Sequence, residues 1–224
     1  VPRAKAIFHF IGIAVAALLT SPAAAQKPSA PEGNTQFLVF FRSQPVGREE
    51  VMVLKLQDGW VVRGTSRLGQ PIDITSRVAE VAYDLEWRPK SLHIDSIVRG
   101  QDVSLKTTFA DGRATNAIAI QGKVQPKVDP VAADTVVLPN AFLGSYAALA
   151  RRLQGKTAGA ELRGYIAPQA EVPIRLLAVA PERIETPKQV IKVTRYALVI
   201  GNPPPLGDLP MNLWADENSD LIRF

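Results

Sequence analysis

From Gln36 onward, short apolar runs are broken at regular intervals by Gly, Pro or Asp-Gly. Gln36–Phe41 reaches a turn at Gln44-Pro45-Val46-Gly47, and Glu49–Leu56 follows. Gln57-Asp58-Gly59 reverses the chain into Trp60–Arg67, and Leu68-Gly69-Gln70-Pro71 turns it again before Ile72–Thr75. Further runs cover Val81–Trp87, Leu92–Val98, Val103–Phe109 and Ala114–Ile120. In the third of these, Val103, Leu105, Thr107 and Phe109 alternate with Asp102, Ser104, Lys106 and Thr108. Successive side chains on a strand face opposite sides, so this is the pattern of a half-buried strand. Strands separated by tight turns predict an antiparallel sheet rather than alternating strand–helix units.

One segment departs from this rhythm. Phe142, Tyr146, Leu149 and Leu153 recur at helical spacing, Arg151 and Arg152 close the run, and Gly155 follows. Cations favour a helix C-terminus, and Gly suits the left-handed position after it. The spacing predicts one helix over about 140–154, capped by Asn140. Strands resume at Glu161–Ile166, Val172–Val179 and Gln189–Ile200. Pro203-Pro204-Pro205 makes an extended connection, and Met211–Ala215 with Leu221–Phe224 forms a last hairpin.

About ten antiparallel strands twist and curl. The expected fold is mainly β: a curled antiparallel sheet, half-barrel or barrel, over residues 36–224, with the amphipathic helix packed on its concave face. In such a bowl, Phe142, Tyr146 and Leu149 of the helix, with Trp60 and Trp87, are the candidate lining of a ligand cavity.

The first 35 residues read differently. Arg3 and Lys5 precede an uncharged apolar run from Ala6 to Leu19, shorter than the roughly 20 residues that span a bilayer. Thr20-Ser21-Pro22 and Ala23-Ala24-Ala25 then match a cleavage site. The expectation is a signal peptide over 1–25, a flexible leader over 26–35, and a periplasmic or secreted protein reached by the general secretory route, with no integral span in the mature chain. The net charge is +5, and two of its positive charges are Arg3 and Lys5, so nucleic acid is not an expected partner. The chain has no Cys, which excludes disulfides, thiolate metal sites and a Cys nucleophile.

Strand rhythm and helix placement across Gln36–Phe224 resemble the exported half-barrel folds of bacterial envelopes, of which lipoprotein carriers are the known example. That resemblance implies an apolar cavity for acyl chains between sheet and helix. Tyr196-Ala-Leu-Val-Ile-Gly-Asn and Trp214-Ala-Asp-Glu-Asn-Ser-Asp-Leu-Ile-Arg also resemble segments of uncharacterised exported domains, some of which precede a serine hydrolase in the same polypeptide.

Catalytic sets are weak. Ser91, His93 and Asp95 supply three triad residue types, but i and i+2 positions on a strand lie about 6–7 Å apart, beyond hydrogen-bond reach. Asp84 and Glu86 share a strand face, as acids on exposed strands commonly do. Asp216-Glu217-Asn218-Ser219-Asp220 begins like a calcium loop but has Leu221 where Gly is required. No metal, cofactor or catalytic residue is therefore assigned. The expected function is an exported, non-catalytic module binding a lipid, an acyl chain or a lipidated partner. The alternatives are an N-terminal interaction domain of a longer exported enzyme, with a C-terminal domain as partner, and last a hydrolase using His93.

Overall fold

The computed structural model describes residues 34–187, 189–201 and 207–224. The expected signal peptide (1–25), the expected leader up to residue 33 and Pro203-Pro204-Pro205 lie outside the described residues.

Eight strands follow one another as an antiparallel meander, each paired to its neighbours in chain order. They are β1 (Asn34–Phe41), β2 (Gln44–Leu56), β3 (Gly59–Leu68), β4 (Ile74–Tyr83), β5 (Pro89–Val98), β6 (Gln101–Ala110), β7 (Arg113–Ile120) and β8 (Lys123–Pro130). The chain then crosses through β9 (Val136–Val137), a 3₁₀ turn (Leu143–Ser145) and α1 (Tyr146–Leu153) into β10 (Glu161–Ile166), β11 (Ala170–Glu185), β12 (Val190–Ile200), β13 (Leu209–Ala215) and β14 (Leu221–Arg223). These strands form a second sheet in the order β14-β13-β12-β11-β10-β9. Its pairs are antiparallel except the two-residue β9–β10 contact, which is parallel. The result is the expected mainly antiparallel half-barrel, with a single short α-helix among the described residues. No helix among the described residues is long and apolar enough to cross a membrane.

The inner face of the eight-stranded sheet is laid out in cross-strand rows, because directly paired residues share a face. One row is apolar, with small residues at its centre: Val51, Gly64, Ala79, Ile94 and Leu105. The neighbouring row is polar: Glu49, Ser66, Ser76 and Ser96, all buried. The chain entering α1 lies across both rows. The Phe142 ring is seated between Gly64 and Gly144, where a Cβ on either glycine would come within 2.7 Å of ring carbon Cε2. The polar row serves that segment's backbone: Ser76 Oγ donates to the Ala141 carbonyl at 3.1 Å, and Ser96 Oγ donates to Ser76 Oγ at 2.9 Å. Phe142, Leu149 and Leu153 of the helical segment are wholly buried in one core cluster with Val62, Val81, Leu92, Ile174, Leu198 and Leu213 from both sheets.

The sheets are tied on one side by a buried polar network. Tyr165 Oη on β10 donates to Asp129 Oδ2 on β8 at 2.6 Å, and Asn116 Nδ2 donates to Tyr165 Oη at 2.8 Å and to Asp129 Oδ2 at 3.1 Å. Thr107 Oγ1 donates to Asn116 Oδ1, and Lys127 Nζ reaches both Asp129 and the Pro168 and Gln169 carbonyls. Burial, together with the Asp129 contact, pushes the Tyr165 phenol well above its ordinary value. Tyr165→Phe leaves buried acceptor and donor groups short of a partner. The expected cost is about 1–3 kcal/mol in urea denaturation, against almost none for removal of an exposed hydroxyl.

Several boundaries differ from the expectation: the first turn falls at Arg42-Ser43, so that Gln44–Gly47 belongs to β2, and β11 continues past Val179 to Glu185. The helix starts later than Asn140: the segment is extended at Phe142, and regular helix begins at Tyr146. Gly155 does adopt the left-handed conformation expected after it (φ +71). β4 is one continuous strand whose alternation is interrupted by a bulge between Ser76 and Val78. The run Val81–Trp87 stops at Tyr83, because Asp84 Oδ1 accepts the Glu86 and Arg88 N–H groups and folds Asp84–Arg88 into a turn. Asp84 and Glu86 therefore do not share a strand face. At the N-terminal side, β1 takes up Asn34 and Thr35, the last two residues of the expected leader.

Candidate functional site

β1 ends one sheet and β14 ends the other, so each carries an unpaired edge. Both edges border a groove of about 840 Å³. Its walls are Phe37, Leu38, Val39 and Phe40 of β1, Leu143 of the 3₁₀ turn, and Ile222 and Phe224 at the C-terminal strand. Gln36, Ser43, Glu49 and Arg223 supply its polar atoms. Leu38 and Phe40 are 66% and 58% exposed, unusual for large apolar residues on an edge strand without a single charge.

Glu49 lies at the buried side of this groove. It sits on β2 opposite Phe37 of β1 and Ser66 of β3, and is 1% exposed. Its carboxylate accepts from the Leu143 N–H at 3.2 Å and from the Gly144 N–H at 2.5 Å. It therefore does for the helical segment what Asn140 was expected to do. The free N–H groups at a helix start need acceptors and draw negative charge; here the acceptor comes from a strand 95 positions away in sequence. Burial pushes the Glu49 carboxyl up to about 7, against the two N–H bonds, which pull it down. The adjacent Ser66 Oγ is buried without a hydrogen-bond partner.

The five residues expected to line a cavity take other places. Phe142 and Leu149 have no exposed surface and belong to the packed core. Tyr146 stacks on Phe224 with ring centroids 4.9 Å apart, so it stands directly behind one wall of the groove. Trp60 and Trp87 stack on each other at 4.9 Å, near the opposite end of α1, where the Arg151 guanidinium lies 5.8 Å from the Trp60 ring and Arg152 Nη1 donates to the Trp87 carbonyl. The groove thus borders the start of the helical segment, and the tryptophan pair borders its end.

His93 Nε2 lies 3.1 Å from Asp95 Oδ2, closer than the spacing of i and i+2 positions on a strand suggests. The pair is on the outer face, with His93 and Asp95 side chains 39% and 36% exposed. Asp95 is held below the ordinary carboxylate range first by Ser104 and then by His93. An exposed acid–imidazole pair outside any enclosed pocket is not an arrangement for nucleophilic catalysis. In the last hairpin, Asp216 Oδ1 accepts the Asn218 and Asp220 N–H groups, and Asp220 pairs with Arg151. These acids hold the turn and the helix end, and no group of metal-ligating side chains occurs among the described residues.

No family model matches the chain, and no curated protein matches it. Among solved structures, the crystal structure of a DUF1089 family protein from Pseudomonas aeruginosa is similar at 16% identity, over 84% of this chain and 94% of that one, with a TM-score of 0.45. A likeness at that level carries no functional information.

Proposed function

We propose that this protein is an exported, non-catalytic module that holds one acyl or similar alkyl chain in the groove between β1 and β14. The observation that carries this reading is the groove itself. It is lined mainly by Phe37, Leu38, Val39, Phe40, Ile222 and Phe224, and its volume of about 840 Å³ falls within the range of small-molecule sites. Large exposed side chains on an uncharged edge strand lose contact with water when a chain is laid against them. Each buried methylene contributes about 0.8 kcal/mol.

That figure sets the test. Displacement of N-phenyl-1-naphthylamine by straight-chain alkanols should tighten about fourfold per added methylene until the groove is filled. Leu38→Asp and Phe40→Asp place a charge on the wall at positions already exposed to water. They should weaken displacement at least tenfold while leaving the urea midpoint nearly unchanged. Affinity independent of chain length, or unaltered by both substitutions, would count against the groove as the site.

A further inference from the structure

The outer face of the eight-stranded sheet carries two cations that the fold leaves uncompensated. Leu38 on β1 is paired with Arg48 on β2, Arg48 with Arg67 on β3, and Arg67 with Thr75 on β4. Directly paired residues share a face, and like charges in that position repel. Elsewhere on this face the chain avoids such a pair: Arg63 faces Glu80 at 2.6 Å, and Arg77 is matched by Asp102 at 2.8 Å. Asp102 is also the first acid along the Arg48–Arg67 row, and it is already taken. Arg48 and Arg67 make no ion pair among the described residues. They border a depression of about 240 Å³ whose lining includes Thr65 and Thr75, and whose one carboxylate, Glu50, accepts from Gln36 Nε2 at 3.3 Å. The net charge of the chain is only +5, so the positive field belongs to this face rather than to the whole molecule.

Exposed apolar side chains adjoin these cations. Leu38 and Phe40 are exposed on β1, and Phe41 follows beside the Arg42-Ser43 turn. The Arg42 guanidinium lies 5.4 Å from the centre of the Phe41 ring, and it too has no ion pair among the described residues. β8, the other edge of this sheet, carries Lys123, Pro126, Lys127 and Pro130, residue types that discourage association; β1 has neither Pro nor charge. Unpaired guanidiniums next to projecting apolar side chains match an anionic bilayer, which offers phosphates at the surface and hydrocarbon just beneath. We propose that this face is a membrane-docking surface, on which Arg42, Arg48 and Arg67 engage the phosphates of anionic lipids while Phe40 and Phe41 enter the boundary between headgroups and acyl chains. A guanidinium suits the role because its planar fork bonds two phosphate oxygens at once. A second copy of the chain does not fit, since stacking this face on itself would oppose the arginines to one another. The inference stands apart from the groove reading, because Phe41, Arg42, Arg48 and Arg67 do not line the groove. Leu38 and Phe40 border both, so docking sets the groove against the lipid.

The test uses the full chain and two vesicle populations, phosphatidylcholine alone and an equal mixture of phosphatidylcholine and phosphatidylglycerol. Cosedimentation is expected with the mixed vesicles only, and it should fade as salt rises because the arginines are exposed. Arg48→Gln and Arg67→Gln should each weaken it about fivefold, and Phe41→Ser by a similar factor. Neither arginine substitution should lower the urea midpoint, since each relieves the repulsion between the pair. Alkanol displacement from the groove should be unchanged in all three variants. The chain has no Cys, so a bimane dye on Gln44→Cys reports from the hairpin tip alone. Its emission should shift to the blue on mixed vesicles, while the same dye on Thr115→Cys, near the far end of the sheet, should not respond. Absence of binding to mixed vesicles overturns the proposal, as does binding that survives all three substitutions with no response at the tip. Binding of inorganic phosphate without vesicle binding would make this a site for a free anion. Self-association without vesicle binding, lost in Phe41→Ser, would make it a contact between copies. Either result overturns membrane docking.

Discussion

Phe142→Ala should lower the free energy of unfolding by about 3–5 kcal/mol, seen as a drop in the urea midpoint with an unchanged slope. The ring has no exposed surface and fills the space that two missing Cβ atoms create, at Gly64 on β3 and Gly144 in the turn. Its removal leaves a void between the sheet and the segment that starts the helix, and the close backbone approach there cannot collapse to fill it. Gly144→Ala is the reciprocal test. The added methyl would lie 2.4 Å from Val51 Cγ2 and 2.7 Å from the Phe142 ring, so the turn must shift away from the sheet. That shift also lengthens the Glu49 bonds to the turn. A Phe142→Ala protein with wild-type stability would mean that the helical segment is not anchored in the bowl by this ring.

The second large effect is on stability as a function of pH. Glu49 is raised from 4.5 to about 7 by folding. Below pH 4.5 the group is neutral in both states and costs nothing. Between 4.5 and 7 the unfolded chain gives up its proton while the folded one keeps it, so the unfolded state binds fewer protons and stability falls as pH rises. Above 7 the loss is complete, at about 3 kcal/mol. Urea denaturation at pH 5 and pH 8 should show this decline in the wild type and little of it in Glu49→Gln. Asp95 acts in the opposite sense, since its carboxyl is lowered, and its contribution is lost only in more acidic solution. A wild type more stable at pH 8 than at pH 5 would contradict the assigned burial of Glu49.

The meander was legible in the sequence wherever one face is apolar and the other wet. Val103, Leu105, Thr107 and Phe109 alternate cleanly with polar residues and form β6 over Gln101–Ala110. β8 was not legible. In Lys123–Pro130 only Asp129 is buried, so no hydrophobic period exists, and the strand is defined by its pairing with β7. β4 looks like separate pieces in the sequence because its bulge shifts the alternation by one residue. The helix was visible from its apolar face and its Gly155 stop, but its acceptor at the start was not. Glu49 lies in a strand far away in sequence, and no local pattern marks it as a cap. The groove leaves no local pattern for a related reason. It exists only where the two sheet edges approach, so residues from β1, β2, the 3₁₀ turn and β14 meet there without any shared motif. The uncharged run Gln36–Phe41 and the closing Leu221-Ile222-Arg223-Phe224 were its only trace in the sequence. The large aromatics Trp60, Trp87 and Tyr146 pack against the core, and Phe142 lies within it.

The most direct test of the groove is a map of where a chain binds. Backbone and methyl chemical shifts of the isotopically labelled protein are followed during addition of 1-dodecanol at pH 6. The expected shifts saturate at one equivalent and cluster on Phe37, Leu38, Val39, Leu143, Ile222 and Phe224, with Glu49 and Gly144 responding behind them. Shifts centred instead on the Trp60–Trp87 stack, or scattered over the outer face without saturation, would contradict the assignment of this seam as the binding site.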